Sequence, residues 1–187
     1  VGQINRMSSE APVPIFSKKS EHCCLGGAAN VAFNLAFADQ NVSIAAIVGV
    51  DYYSDMLVEM CREHSINTET IVRWSMCKMT VKNRLIIDKK QQIARIDCDN
   101  IINITQEIED EFIAKLSKAI PEHSVIVVSD YNKGGITKNI FSAIVSVANA
   151  HCIKVLVDVK GNDCTKYRGA YLVKPNFEEL HNLLGIS

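Results

Sequence analysis

The chain has 187 residues, of which 48% are hydrophobic and 22% are charged, and its formal net charge is −1. This length suits one globular domain with a substantial core, and the composition excludes a disordered or collagen-like chain. The interspersed charges argue against nucleic acid as a partner, and the apolar runs fall short of the roughly 18 residues that a membrane span needs, so we expect neither partner.

The N-terminal third of the sequence predicts an extended segment, a helix, a strand and a second helix. Residues 11–14 are expected to be extended because proline disfavours helical backbone in the residue before it. A helix opens at Gly26-Gly27, residues 42–48 resemble a strand buried on both faces, and residues 52–64 have helical apolar spacing. Residues 1–6 show no strand pattern.

Three β-like runs follow, at residues 70–74, 80–88 and 91–96. Positions on one face of the middle run mix polar and apolar residues, and residues 88–90 suit a hairpin turn. We interpret these runs as a small antiparallel flap. The predicted lid takes in roughly residues 9–20 and 70–97.

Helices and buried strands alternate through the second half of the chain. Strands are predicted at residues 124–129, 153–157 and 171–173, and helices at residues 105–120, 136–150 and 177–184. This alternation predicts an α/β fold in which a parallel sheet is covered by helices on both faces. Ligands of such sheets bind at the carboxyl ends of the strands.

Polar residues follow each of these predicted strands. The candidates are Asp130 and Lys133, then Asp158 and Lys160, then Asn176 and Glu179. Lysine with glycine at a helix start suits an anion, whereas oxygens in an N-x-x-E spacing suit Mg²⁺, directly or through water. Together they indicate phosphoryl transfer. The alternative that each residue only forms a turn or caps a helix stays open.

The sequence resembles the ribokinase-like (PfkB) carbohydrate kinases, first through the segment Gly26-Gly27-Ala28-Ala29-Asn30. It is most similar to the D-glycero-β-D-manno-heptose-7-phosphate kinase domain of the bifunctional heptose kinase/nucleotidyltransferases. The other matching segments are residues 6–14, 91–97, 129–134, 158–163, 166–170 and 175–179. The resemblance covers essentially the whole chain in order. It departs from the family pattern at Leu25, Val159 and Lys174.

This resemblance implies a ribokinase-like fold with a β lid and ATP- and Mg²⁺-dependent phosphorylation of a sugar hydroxyl, most closely O1 of heptose 7-phosphate. The sugar would be contacted by Gly26, Gly27 and Asn30, and its phosphate would be met by Arg6, Lys82, Arg84 and Arg95. The nucleotide phosphates would lie near Asp130, Lys133, Asp158, Lys160, Asn176 and Glu179, of which Asn176 and Glu179 would be linked to Mg²⁺.

The resemblance also implies that residues 1–187 are part of a kinase domain. In the family, a first strand precedes the position of residue 1, and the general base and most of the ATP-binding part follow residue 187. We therefore expect a domain that is incomplete at both ends and inactive alone. A kinase for a fructose- or ribose-type sugar and a degenerate, non-catalytic sugar-phosphate-binding module remain alternatives.

Two further expectations concern assembly and location. Exposed edges of the lid would allow a homodimer, because unpaired strand edges invite pairing. The seven cysteines include no C-x-x-C pair, which argues against a disulfide framework and favours reduced thiols in the cytoplasm.

Overall fold

The computed structural model describes residues 1–87, 91–160 and 164–184, and these residues form two compact units. The first unit comprises Val1–Cys24 and Met79–Asp99, and the second comprises Leu25–Lys78 and Asn100–Ser187. Within the described part of the chain, every helix is too short or too polar to cross a membrane.

The strands and helices follow one another closely along the chain. The strands are β1 (Gly2–Met7), β2 (Pro14–Lys18), β3 (Ile47–Val48), β4 (Val72–Arg73), β5 (Val81–Ile87), β6 (Gln91–Cys98), β7 (Val125–Ser129), β8 (Lys154–Asp158) and β9 (Leu172–Lys174). The helices are α1 (Gly27–Phe37), α2 (Tyr52–Glu63), α3 (Gln106–Ala119), α4 (Lys138–Ala150) and α5 (Phe177–Leu184).

The first unit is a four-stranded sheet in the order β2-β1-β5-β6, with antiparallel pairs at both sides. The expectation of no strand in residues 1–6 is wrong, because β1 lies in the middle of this sheet. Its Gly2 is packed so closely that a Cβ atom would lie 2.4 Å from the Ser17 carbonyl oxygen. Pairing with β2 and β5 stabilises this strand, and such pairing leaves no periodic signal in a short segment. The predicted turn at residues 88–90 lies outside the described residues.

The first β-like run assigned to the flap belongs instead to the second unit. Residues 70–74 contain β4, which pairs with β3 in parallel through Ile47 and Val72. Burial explains this placement, because Val72 is fully buried and a solvent-exposed flap would leave it in water. The strand predicted at residues 42–48 is also shorter than expected: regular pairing is confined to β3, and Ser43 forms an isolated bridge with Asn67.

The predicted parallel sheet of the second unit is confirmed, with strand order β7-β8-β9. Threonine side chains cap two of its helices: Thr105 accepts from the Ile108 amide at the start of α3, and Thr137 accepts from the Ile140 amide at the start of α4. Residues of both helices and residues from one face of the sheet belong to the same hydrophobic core. This core includes Phe112, Leu116, Val128, Ile140, Phe141, Ile144, Val155 and Val157.

A buried carboxylate joins α3 to the start of α4. Glu109 is 5% exposed, and its oxygens accept hydrogen bonds from the Thr137 hydroxyl and, at 3.0 Å, from the Asn139 amide. These hydrogen bonds, that of Asn139 most, lower the pKa of Glu109 despite its burial, and Gln106 adds a weaker one. The ionised form of Glu109 is therefore the form that the fold stabilises.

We predict that Glu109→Gln lowers the free energy of unfolding at pH 7 by about 1–3 kcal/mol, because one amide N–H₂ would then face other donors. A carboxyl whose pKa is depressed on folding contributes stability above its unfolded pKa of about 4.3 and loses it as the pH falls through the lower folded value. Urea unfolding of both proteins should therefore show their difference shrinking below about pH 4.3. A difference that stays constant from pH 7 to pH 3 would contradict this role.

Two adjacent glycines after β7 provide a matched test of the backbone. Gly134 has φ +88° and a Cβ atom there would lie 1.9 Å from the Ile102 carbonyl oxygen, whereas nothing lies within 4 Å of a Cβ atom at Gly135. We predict that Gly134→Ala lowers the unfolding free energy by more than about 1 kcal/mol and that Gly135→Ala changes it by less than about 0.5 kcal/mol. Equal effects in thermal unfolding would refute this account of the turn.

Candidate functional site

The carboxyl ends of β7, β8 and β9 lie side by side in the second unit. Ser129 pairs with Asp158, and Asp158 pairs with Lys174, so the three strands end in one row. The Lys174 ammonium lies 2.9 Å from an Asp158 carboxylate oxygen and this contact raises the pKa of Lys174. Lys174, a departure from the family pattern, thus completes an ion pair across two strands.

Asn176 and Glu179 form a reciprocal cap at the start of α5. The Asn176 side-chain oxygen accepts from the Glu179 amide at 2.8 Å, and a Glu179 carboxylate oxygen accepts from the Asn176 amide at 2.6 Å. The other Glu179 oxygen lies 2.5 Å from the Lys160 ammonium. The hydrogen bond from the Asn176 amide has the largest effect in lowering the pKa of Glu179, and the contact with Lys160 has the next largest. The contact with Glu179 in turn raises the pKa of Lys160.

The side-chain oxygens of Asn176 and Glu179 are the expected ligands of Mg²⁺, and their existing hydrogen bonds limit how they could hold it. Glu179 is 8% exposed and each of its carboxylate oxygens already accepts one hydrogen bond, as does the Asn176 side-chain oxygen. Each still has a second lone pair, so the donor set fits a contact with Mg²⁺ through water better than direct coordination. The described residues contain no cluster of three or more acidic, histidine or cysteine ligands.

Asp130 follows β7 as expected, but its side chain is buried within the second unit. It is 3% exposed, and one carboxylate oxygen lies 2.7 Å from the Tyr167 hydroxyl and 2.6 Å from the Lys166 ammonium. Its other oxygen accepts from the Asn132 amide at 2.7 Å. A buried carboxylate with these partners has no free surface for an anion. The expectation that Asp130 binds a nucleotide phosphate is therefore corrected: it anchors the loop after β7.

The diglycine turn lies at the start of α1, as predicted. Gly26 is the N-cap residue and Gly27 has φ +56°, a backbone conformation that glycine adopts without strain. A Cβ atom at Gly27 would lie 3.5 Å from the Tyr131 ring, so the turn contacts the loop after β7. Asn30 is exposed on the first turn of the helix. Lys133 lies in the same loop as Tyr131, and its carbonyl oxygen accepts from the Ile102 amide at 2.9 Å.

The remaining candidates lie together on one face of the four-stranded sheet in the first unit. Paired residues share a face, and faces alternate along each strand. Lys82 pairs with Asp97 and Arg84 pairs with Arg95, so all four share one face. An irregularity in β1 brings Arg6 into register with Ile15, which places Arg6 on the same face. We call Arg6, Lys82, Arg84 and Arg95 the cationic face.

The sequence analysis missed three residues that contact the cationic face or Asp130, namely Asp97, Lys166 and Tyr167. Asp97 lies on the cationic face, where its carboxylate contacts Arg95 at 2.8 Å and Lys82 at 3.8 Å. Lys166 and Tyr167 contact the Asp130 carboxylate directly after β7. Both belong to a segment that matched the family, but their partner Asp130 is more than thirty residues away, and a single sequence carries no sign of that contact.

Solved structures with a similar fold include a phosphofructokinase and a fructokinase. Phosphofructokinase-2 from Escherichia coli, in a tetrameric inhibited form, superposes with a TM-score of 0.66 at 17% identity, covering 97% of this chain and 59% of that one. Fructokinase from Xylella fastidiosa gives a TM-score of 0.65 at 17% identity, covering 98% of this chain and 60% of that one. These similarities show the ribokinase-like fold.

Curated relatives are considerably longer than this chain. The "Bifunctional protein HldE" of Aliarcobacter butzleri is 36% identical over 99% of this chain and 39% of its own length. The protein of that name from Helicobacter pylori is 35% identical over 98% of this chain and 39% of its own length. The chain thus spans about two fifths of the relatives it matches. The sequence profile of the "pfkB family carbohydrate kinase" matches residues 3–187, and the chain therefore belongs to this family.

Proposed function

We propose that this chain forms the sugar- and phosphate-binding part of an ATP-dependent sugar kinase whose acceptor is a phosphorylated sugar, most closely heptose 7-phosphate at O1. The observation that carries the proposal is the cationic face. Four basic side chains from β1, β5 and β6 share it, and Asp97 is the acidic residue paired among them.

The cationic face has the electrostatic character of an anion site. Arg84 and Arg95 lie directly opposite each other on adjacent strands, and like charges in this position destabilise a sheet. A phosphate monoester would offset this repulsion and accept charge-assisted hydrogen bonds from planar guanidinium groups. A sugar without a phosphate offers no such compensation. The face therefore favours a phosphorylated acceptor over free fructose or ribose.

The strand ends of the second unit supply cations for the transferred phosphate. The side chains of Lys160 and Lys174 are 44% and 67% exposed, so their ammonium groups stay accessible while each is held by a carboxylate. Lysine in this setting acts as a point charge that stabilises negative phosphate oxygens. When bound, Mg²⁺ would neutralise further charge on the nucleotide, with Asn176 and Glu179 holding it through water.

Two related expectations stay predictions. A homodimer through the lid is supported by β6, which is exposed along its whole length and carries the half-exposed side chain of Ile96. A cytoplasmic location accords with seven free cysteines, all of them without disulfide bonds.

We predict that Arg84→Gln weakens binding of a sugar phosphate to this chain about tenfold and leaves binding of the unphosphorylated sugar unchanged, because a charged hydrogen bond is worth about 1.5–3 kcal/mol. Titration calorimetry with fructose 6-phosphate, heptose 7-phosphate and their unphosphorylated sugars measures this. The same substitution should slightly raise the unfolding free energy of the free chain, because it removes the repulsion with Arg95.

Lys19→Gln is the matched control, because Lys19 is an exposed cation of the same unit that belongs to none of the strands. It should change neither sugar-phosphate affinity nor stability appreciably. If both variants bind the sugar phosphate more weakly, the loss reflects the lower overall positive charge of the chain and not a specific contact with Arg84. Unchanged sugar-phosphate affinity in Arg84→Gln would contradict the proposed acceptor.

Glu179→Gln distinguishes the role of Glu179 in capping α5 from the role of its negative charge. Glutamine can still accept from the Asn176 amide, but its N–H₂ then faces the Lys160 ammonium, so the unfolding free energy should fall by about 1–3 kcal/mol, and Asn176→Ala should lower it by about 1 kcal/mol. Glu179→Gln should also raise severalfold the Mg²⁺ concentration for half-maximal phosphorylation by the complete gene product. An unchanged Mg²⁺ dependence would leave Asn176 and Glu179 with only a capping role.

A further inference from the structure

We infer that Asp130, Lys166 and Tyr167 form a buried strut that positions the Tyr131 ring against the diglycine turn, which makes them positioning residues for the acceptor sugar. The link to the sugar rests on the proposed function. The strut itself rests on contacts within the second unit.

The strut is a buried carboxylate surrounded by donors from two segments. The side chain of Asp130 is almost completely buried, and one of its oxygens receives both the Tyr167 hydroxyl at 2.7 Å and the Lys166 ammonium at 2.6 Å. Its other oxygen accepts from the Asn132 amide. Because a buried charge is strongly destabilising when it loses a partner, removing either donor is expected to displace the loop rather than leave the carboxylate unpaired.

The strut connects the end of β7 to two other parts of the unit. The Tyr167 ring is 2% exposed and lies edge-on to the Phe141 ring of α4, with 5.3 Å between the ring centroids. The Lys166 ammonium also donates to the Ile136 carbonyl oxygen at 3.4 Å, just before α4 begins. The Asp130 amide donates to the Asp158 carbonyl oxygen at 3.0 Å, at the end of β8. Asp130 is thereby connected to α4 through Tyr167, to the segment before α4 through Lys166, and to the end of β8 through its own amide.

The loop that begins at Asp130 is also held at its far end. The Ile102 amide donates to the Lys133 carbonyl oxygen, and Gly134 packs against the Ile102 backbone with no room for a side chain. Only two residues, Tyr131 and Asn132, lie between Asp130 and Lys133. The backbone position of Tyr131 therefore follows from the two anchors.

Tyr131 lies where a sugar-binding aromatic side chain would be useful. Its ring lies against Gly27, and its side chain is 45% exposed. An aromatic ring with one apolar face and one hydroxyl can pack on a sugar ring and hydrogen-bond to it. Tyr131 thus forms a wall beside the diglycine turn, and the strut sets its place.

The strut is tested by NMR on the 187-residue chain. The probe is the nuclear Overhauser effect between the Tyr131 ring protons and the Gly27 α-protons, with the long-range Phe33–His64 ring contact (centroids 4.6 Å apart) as the internal reference for an intact fold. Tyr167→Phe keeps the packing on Phe141 and removes one donor, and Lys166→Met removes the cation at similar length. Lys118→Met, an exposed lysine of α3, is the control.

We expect the Tyr131–Gly27 signal to fall at least twofold in Tyr167→Phe and to vanish in Lys166→Met, to be restored in Lys166→Arg, and to stay unchanged in the control. If Lys166→Met does not fold, Tyr167→Phe decides the question, because Lys166→Arg keeps the cation and is expected to keep the signal. An unchanged signal in Tyr167→Phe or in folded Lys166→Met would overturn the strut.

Kinetics of the complete gene product test the link to the sugar. Tyr167→Phe and Lys166→Met should each raise the KM for the acceptor about tenfold, with kcat and the KM for ATP within about twofold, because a misplaced Tyr131 weakens binding of one substrate, whereas Lys166→Arg should leave all three unchanged. In a Tyr131→Ala background the same substitutions should add nothing further, because they act through Tyr131.

Additive effects, or a loss confined to kcat or to the active fraction, would overturn the positioning role. A gene product that phosphorylates no sugar would instead refute the proposed function and with it the link to the sugar, while the NMR result would still decide whether the strut exists.

Discussion

The parallel register of β7, β8 and β9 is the constraint on which the rest of the second unit depends. Alternation along these strands directs Val128, Val155 and Val157 into the core beneath α3 and α4. The same register brings the three strands to an end in one row, where the chain leaves the sheet with polar residues. Core burial and the assembly of the candidate site therefore arise from one pairing pattern, and a shift of one residue would disrupt both.

Each of the three strand ends carries a carboxylate paired with a lysine from another segment. Asp130 pairs with Lys166, Asp158 with Lys174, and Glu179 with Lys160. Their exposure separates their roles. The Lys166 side chain is 16% exposed and holds a buried carboxylate, so its loss would leave an uncompensated charge. The Lys160 and Lys174 side chains are exposed to water, so the Lys174 pair contributes little to stability and both ammonium groups remain available to a phosphate, although the Glu179 carboxylate paired with Lys160 is buried.

Most elements of the fold were predictable because their signals are local. Helix α3 follows from apolar spacing after a capping threonine, α4 follows from apolar spacing alone, and β7 and β8 follow from short runs of valine and isoleucine. The wrong predictions concern strands whose pairing depends on distant segments of the chain. Strand β1 depends on its neighbours in the sheet, and the placement of β4 depends on burial against the second unit, which spacing along the chain does not encode.

The same distinction applies to the site. Lys160 and Glu179 were predictable because a strand end and an N-x-x-E spacing mark them, whereas the burial of Asp130 by Tyr167 depends on a contact across 37 residues. The cationic face was predictable residue by residue, but its sharing of one surface required the register of β5 with β6 and the irregularity in β1. Chemistry was thus visible in the sequence, and geometry was not.

The most direct test of the central claim is an NMR titration of the ¹⁵N-labelled chain with Mg²⁺ and inorganic tripolyphosphate, which carries the phosphate groups of a nucleoside triphosphate without its base. If the three strand ends form one phosphate-binding edge, the amide signals of residues 130–133, 158–160, 174 and 176–179 should shift together and saturate with a single dissociation constant. Shifts that scatter over the second unit, or that follow a different dissociation constant at each strand end, would contradict the account.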